Sequence, residues 1–228
     1  MRCGGFMIKA VLFDLDGTLA DSLEDLAVST NYALDTLGFP VHKTEEYKYF
    51  VGDGIPKLIE RALPEGEGRP EILQKTLDAF MAYYKMHYYD NTHAYNGILC
   101  LLRQLKHSGI KIAVISNKAQ EMAEKVVHKL FGDMFDAVAG KREGYLPKPD
   151  PTLTLEVIAG LGVSPGECVL AGDSGMDMAA AVNCGAVPVG VLWGFRTKEE
   201  LLQNGAEYLA EKPENIFEII KGINHDIG

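Results

Sequence analysis

Cysteine is scarce in this chain and shows no pairing pattern. The 228 residues hold four, Cys3, Cys100, Cys168 and Cys184, with no CxxC and no tight spacing. That excludes a disulfide scaffold and a zinc site as organising principles and fits a reducing compartment. Positive charge is short as well. Lys and Arg total 22 against 32 Asp and Glu, a formal net charge of −10 at pH 7. Bulk attraction to nucleic acid or to an anionic membrane is therefore not expected, and an anionic substrate needs a local positive site. A membrane-spanning run is also missing. The uncharged stretch from Met178 to Phe195 is broken by Asn183, Gly185, Pro188, Gly190 and Gly194 into a helix end, a turn and a short strand. Residues 1–6 carry one Arg and too short an apolar run for a signal peptide, so they read as a short tail or a misplaced start before Met7. A soluble, cytoplasmic protein is expected, and nothing in the pattern specifies an oligomeric state.

What is present is the mix of a folded domain, 47% hydrophobic and 24% charged. Short apolar runs recur at Ile8–Phe13, Ile110–Ile115, Phe135–Ala139, Cys168–Ala171 and Val187–Leu192. Helical patterns lie between them, at Gly97–His107, Gln120–Leu130, Pro151–Leu161 and Met176–Asn183. Strand–helix alternation of this kind predicts an α/β fold, a doubly wound and mostly parallel sheet with helices on both faces. A helix from Thr197 and a strand at Glu207–Leu209 are expected to finish it. From about Ala20 to His93 the alternation stops. Apolar stripes at Leu23–Leu37, Ile55–Leu63 and Ile72–Tyr84 predict a small helical bundle with no strand, and Ser22-Leu23-Glu24-Asp25 has the form of a capping box. The expected division is a core of residues 1–19 and 94–228 around an inserted bundle of residues 20–93.

Open α/β sheets put ligands at the carboxyl ends of their strands. The residues there are Asp14 and Asp16, Ser116 and Asn117, Asp173 and Asp177, joined by Lys148 from a Lys-Pro-Asp-Pro loop. One such Asp is ordinarily a helix cap. Several, with a Ser and a Lys, are tolerable together when a hard divalent cation such as Mg²⁺ sits among them. Asp14 has the chemistry to attack phosphorus, and Asp16 to protonate the leaving oxygen and later draw a proton from water. Lys148, the Ser116 hydroxyl and nearby backbone N–H groups suit the equatorial oxygens. Gly17 permits a close turn, and Thr18 can fix it.

These pieces resemble the motifs of the haloacid dehalogenase-like hydrolases. Asp14-Leu15-Asp16-Gly17-Thr18-Leu19 is similar to the first motif and Ser116-Asn117 to the second. Lys148 is similar to the third, and Gly172-Asp173-Ser174-Gly175-Met176-Asp177 to the fourth, all in family order. The resemblance implies Asp14 as nucleophile and Asp16 as acid/base. It implies Mg²⁺ on the Asp14 side chain, the Asp16 backbone carbonyl and Asp173, with Asp177 in support, and it makes the inserted bundle a helical cap. Val51–Lys57, Arg142-Glu143-Gly144 and Val191–Arg196 are similar to segments of the family's phosphoglycolate phosphatases. Pyrophosphatases and nucleotidases of the family share parts of these segments.

The expectation is hydrolysis of a small phosphorylated metabolite, with Thr18, Asn117, Gly54 and Lys57 as substrate contacts. A sugar-phosphate mutase of the same family is the near alternative. A phospho-receiver switch is the distant one, since it would avoid an acid/base two residues from the phosphorylated Asp. Lys57 and Arg61, four apart on one helix face, read as a solvated pair, with Lys57 the better placed to meet an anion. Tyr83, Tyr84, Tyr88 and Tyr89 read as packing within the bundle, Trp193 as packing near the site rim, and Lys118, which follows Ser116-Asn117, as solvent-exposed ahead of its other reading, a source of positive potential at the site. The histidines show no metal spacing.

Overall fold

A computed structural model describes residues 7–225, so Cys3 and the six-residue lead lie outside the described residues. The first strand, β1 (Ala10–Phe13), is buried along its whole length. The inserted segment follows: β2 (Ala20–Asp21), α1 (Leu23–Thr36), α2 (Tyr47–Phe50), α3 (Ile55–Ala62), α4 (Pro70–His87) and β3 (His93–Ala94). The chain continues through α5 (Ile98–His107), β4 (Lys111–Ala119), α6 (Gln120–Phe131), β5 (Ala137–Lys141) and α7 (Thr152–Gly160). It ends with β6 (Cys168–Gly172), α8 (Gly175–Cys184), β7 (Val187–Val191), α9 (Lys198–Gln203), β8 (Tyr208–Ala210) and α10 (Glu214–His225). None of the described helices is long and apolar enough to cross a membrane.

Six strands form one sheet in the order β5-β4-β1-β6-β7-β8, and every pairing is parallel. Period-2 alternation sends Ala10 and Leu12 to one face of β1 and Val11 and Phe13 to the other. All four are fully buried, which requires cover on both faces and explains why the strand is apolar without a break. On the first face Ala10, Leu12, Ala113, Ile115 and Leu170 meet Leu153 and Ile158 of α7 and Ala180 and Ala181 of α8. On the other side α5 packs on β4 and against α10 through its Ile98, Leu101, Leu102 and Leu105 stripe. The order changes direction at β1, with β4 on one side and β6 on the other, so the carboxyl ends of these three strands frame a crevice.

The chain separates into two compact units, one running to Leu19 and again from Ala94, the other Ala20–His93. Within the second, α1 packs against α4, and α3 packs against α4. Its core holds Leu26, Leu34, Tyr47, Leu58, Ile59, Phe80 and Tyr84. Tyr84 stacks on Phe80 with ring centroids 5.0 Å apart, and Tyr83 stacks between Tyr32 and His87, so both rings serve packing within the bundle. Arg61 is more than solvated, because it donates to the Phe50 carbonyl at 3.0 Å and pairs with Asp53. Lys57 pairs with Glu60 at 2.7 Å in the open.

Three expectations are corrected. The insertion does contain strand, since β2 and β3 pair into a two-stranded sheet. The C-terminal helix α10 was not foreseen, although Ile216, Phe217 and Ile220 give it a buried stripe. Ser22 sits at the N-terminus of α1 without a side-chain capping bond. Asp25, the acidic end of that apparent capping box, is turned elsewhere. Its buried carboxylate accepts from the Asn91 backbone N–H at 2.9 Å, the Asn91 amide at 2.9 Å, the Thr92 N–H at 2.8 Å and the Thr92 hydroxyl at 2.6 Å. Four donors satisfy the buried charge without a cation.

Candidate active site

Asp14 follows the last residue of β1 and still belongs to the sheet, because its N–H donates to Ala171 O on β6 at 2.9 Å. The strand ends thus fix where its carboxylate points. Lys148 arrives from the loop before α7, anchored by its own N–H donating to Asn117 Oδ1 at 2.8 Å. Its Nζ, in a side chain only 5% exposed, donates to Asp14 Oδ1 at 2.8 Å, Asp177 Oδ1 at 2.5 Å and Ile115 O at 2.9 Å. Asp177 lies in the first turn of α8, where its other oxygen accepts from Ser174 N at 3.0 Å and Ser174 Oγ at 2.6 Å. Ser174 and Asp177 form a reciprocal capping box. A helix N-terminus favours the negative charge placed there.

Asp173 is held by Thr18 and by the loop after β7. The Thr18 hydroxyl donates to Oδ1 at 3.1 Å, and the Phe195 N–H donates to Oδ2 at 2.8 Å. Thr18 O in turn accepts from Trp193 Nε1 at 2.9 Å, which ties Trp193 to the residue that holds Asp173. The approach is close enough that Gly17, at φ +88°, has no room for a side chain: a Cβ there would collide with the Asp173 carboxylate. Gly17 is needed both for its left-handed backbone and for that contact.

Asp14, Asp173 and Asp177 offer carboxylate oxygens that lie within 4.8 Å of one another. Two like charges at this separation repel by about 3.5 kcal/mol at an effective dielectric of ~20. The cost is visible in the acidities. Burial, reinforced by the charges of Asp177 and Asp16 and opposed by Lys148, pushes Asp14 up to about 7. Burial, with Asp14 and Asp177, pushes Asp173 up to about 8. Burial would lower Lys148, but Asp14 and Asp177 outweigh it and hold the ammonium well above its usual range. One ammonium against three carboxylates leaves an excess of negative charge. Hard oxygen donors with that excess fit a divalent cation.

This makes stability and metal binding depend on pH together. Both acids are raised, so the metal-free native state holds protons that the unfolded chain has released. Their contribution therefore falls as pH rises from about 4 to about 8. A divalent cation takes the place of those protons. The rise in melting temperature on exchanging EDTA for Mg²⁺ is expected to grow steadily between pH 5 and pH 8. Thermal denaturation followed by circular dichroism across that range measures it, and a rise that stays flat contradicts it.

The structure thus bonds Asp14 and Asp177 to Lys148 and sets Asp173, held by Thr18, beside them. Ser116 and Asn117 are buried beside this group on β4, and the Asn117 side-chain oxygen anchors Lys148. Gly54 and Lys57 belong to the helical unit, Gly54 capping α3 with φ 87° and Lys57 in its first turn. Lys118 is a correction. Its side chain is 3% exposed, and Nζ donates to Asp16 Oδ1 at 3.0 Å and Oδ2 at 2.9 Å. The strand that was expected to stop at Ile115 continues to Ala119, which draws Lys118 into the protein. Ser174 was also missed as a site residue, although Ser-x-x-Asp before an apolar run is a legible capping signal.

Comparison with known proteins agrees with this geometry. The family model described as haloacid dehalogenase-like hydrolase matches residues 11–191. Among curated relatives, the phosphoglycolate phosphatase of Neisseria meningitidis is 34% identical over 203 residues, 87% of this chain and 86% of that protein. The phosphoglycolate phosphatase of Chromobacterium violaceum is 32% identical over 218 residues, 94% of this chain and 97% of that one. Among solved structures, a protein of Lactobacillus delbrueckii subsp. bulgaricus, provisionally named a phosphoglycolate phosphatase, superposes with a TM-score of 0.89 at 32% identity, covering 94% of this chain and 99% of that one. CbbY from Rhodobacter sphaeroides, solved in complex with phosphate, gives 0.71 at 25% identity, covering 92% of this chain and 96% of that one. Every residue of the acidic cluster, and the lysine that binds it, falls inside the matched span, and the chain belongs to the haloacid dehalogenase-like hydrolases.

Proposed function

We propose that this protein is a cytoplasmic, Mg²⁺-dependent phosphomonoesterase of small phosphorylated metabolites, with 2-phosphoglycolate as its preferred substrate. The observation that carries the reading is Asp14: a buried carboxylate with Lys148 on one oxygen and two further carboxylates beside it. The names of the relatives supply the substrate, and the free, buried Cys168 and Cys184 are in keeping with a reducing cytoplasm.

Asp14 attacks phosphorus. The new bond is from its carboxylate oxygen to phosphorus, and the ester oxygen leaves with the bonding pair. Asp16, two residues on, gives that oxygen a proton and then takes one from the water that attacks the aspartyl-phosphate. The second attack breaks the bond to Asp14 and releases inorganic phosphate. Lys148 and the Ser116 hydroxyl hold the phosphoryl oxygens in line, and Lys148 is oriented for this by Asp177 and Asn117. Asp14 and Asp173, with the Asp16 backbone carbonyl, would hold Mg²⁺, and Asp177 supports them. When bound, the ion cancels charge on the carboxylates and on the phosphoryl group.

A panel of 2-phosphoglycolate, pyrophosphate, nucleotides, hexose phosphates and p-nitrophenyl phosphate, ranked by kcat/KM with Mg²⁺, tests the reading. The expected leader is 2-phosphoglycolate, by at least tenfold. Conversion of glucose 1-phosphate to an isomer with little free phosphate would instead identify a mutase. Leadership by pyrophosphate or a nucleotide would replace the substrate while keeping the chemistry.

A further inference from the structure

Lys118 is not accounted for by the steps above. Its ammonium is nearly sealed from water and rests on both oxygens of Asp16, 3.0 and 2.9 Å away. A buried ammonium is costly without an anion, so Lys118 must always have one. Yet Asp16 has to turn toward the leaving oxygen to exchange a proton with it, and a carboxylate held by both oxygens is poorly placed to do so. The two requirements are met together if a second anion takes over Lys118 when the substrate arrives.

We propose that Lys118 is the specificity-determining residue for a substrate carboxylate, which it accepts in exchange for Asp16. The inference rests on the phosphatase reading and deepens it by naming the substrate class: phosphate esters with a carboxylate close to the ester oxygen. In 2-phosphoglycolate one methylene separates the two. An ester oxygen lying against Asp16 therefore brings the carboxylate to the place that the Asp16 oxygens occupy around the Lys118 ammonium. The ion pair moves from Asp16 to the substrate, the buried ammonium keeps an anion throughout, and Asp16 turns to the leaving oxygen. An ester without the second anion offers Lys118 nothing in return, and Asp16 stays held. Selection thus acts on turnover as well as on binding, which is how a site built for a polar partner rejects an analogue lacking it.

The test compares 2-phosphoglycolate with its carboxamide, an ester of the same size and no second charge. Specificity constants are measured for the wild-type protein and for Lys118→Met and Lys118→Gln. The wild type is expected to prefer the carboxylate by about 100-fold, the value of one hydrogen-bonded charge pair. In either variant the ratio is expected to fall below about tenfold, with the loss concentrated on the carboxylate ester. A wild-type ratio near one overturns the proposal, and so does an equal loss on both esters in a variant, the mark of a purely structural lysine. The wild-type ratio stands even if neither variant folds. Release of phosphate from neither ester by the wild type would overturn the phosphatase reading as well, so the two failures are distinguishable.

Discussion

Asp14→Asn is expected to lower phosphate-ester turnover by at least ~10⁴-fold and, in EDTA, to raise the melting temperature. Losing a nucleophile commonly costs this much, because the rest of the site still binds but cannot form the covalent intermediate. Asparagine keeps the shape and removes the charge. Asp14 and Asp173 are buried beside each other and both resist ionisation, so one charge fewer relieves Asp173. Lys148 keeps its bond to Asp177. Because the raised acidities matter only where the unfolded chain is ionised, the gain in stability grows with pH above about 4. Phosphate release and thermal melts in EDTA at pH 5 and pH 8 measure both effects. Turnover surviving within tenfold would remove Asp14 from the chemistry.

Lys148→Met is expected to damage both activity and stability. It leaves the buried Asp14, Asp173 and Asp177 without the ammonium that pairs with Asp14 and Asp177, and breaking a buried pair in this way costs about 3–5 kcal/mol. The loss is expected to be large at pH 8 and smaller at pH 5. At the lower pH Asp14 and Asp173, already raised to about 7 and about 8 with the lysine present, hold protons and need no counter-charge. Urea denaturation at the two pH values reads this directly. Turnover should fall by about 10³-fold at saturating Mg²⁺, since a positioned charge on the phosphoryl oxygens is lost. Equal destabilisation at both pH values would mean that methionine merely packs badly.

Much of the core is legible in the sequence because its signals are local. β1, β6 and β7 are apolar on both faces, and that pattern exists only where helices cover a sheet twice. The acidic residues at the ends of β1 and β6 are legible for the same reason: a polar residue that stops such a run lies at the sheet's edge. What stayed hidden depends on partners far along the chain. Asp25 resembles half of a capping box, but Asn91 and Thr92, more than sixty residues on, claim its carboxylate. Lys118 looks like a surface residue until Asp16 is set beside it, 102 positions earlier. The strands β2 and β3 have two residues each and carry no period to read. In α10 the apolar stripe is present, but it follows a strand that already looked like an ending.

The central strand is the first of the described strands to be made and waits through the longest stretch of chain for its two neighbours. Ala10 pairs with Lys111 on one side and with Cys168 on the other. During synthesis, Asp14 therefore emerges with β1 long before either neighbour exists, while α1 and α4 can meet after far fewer residues. Loop closure over such distances is slow compared with local helix pairing. Newly made chains must pass through a stage in which an uninterrupted apolar strand is still unpaired while the helical unit is already assembled, a stage that invites chaperone binding or self-association.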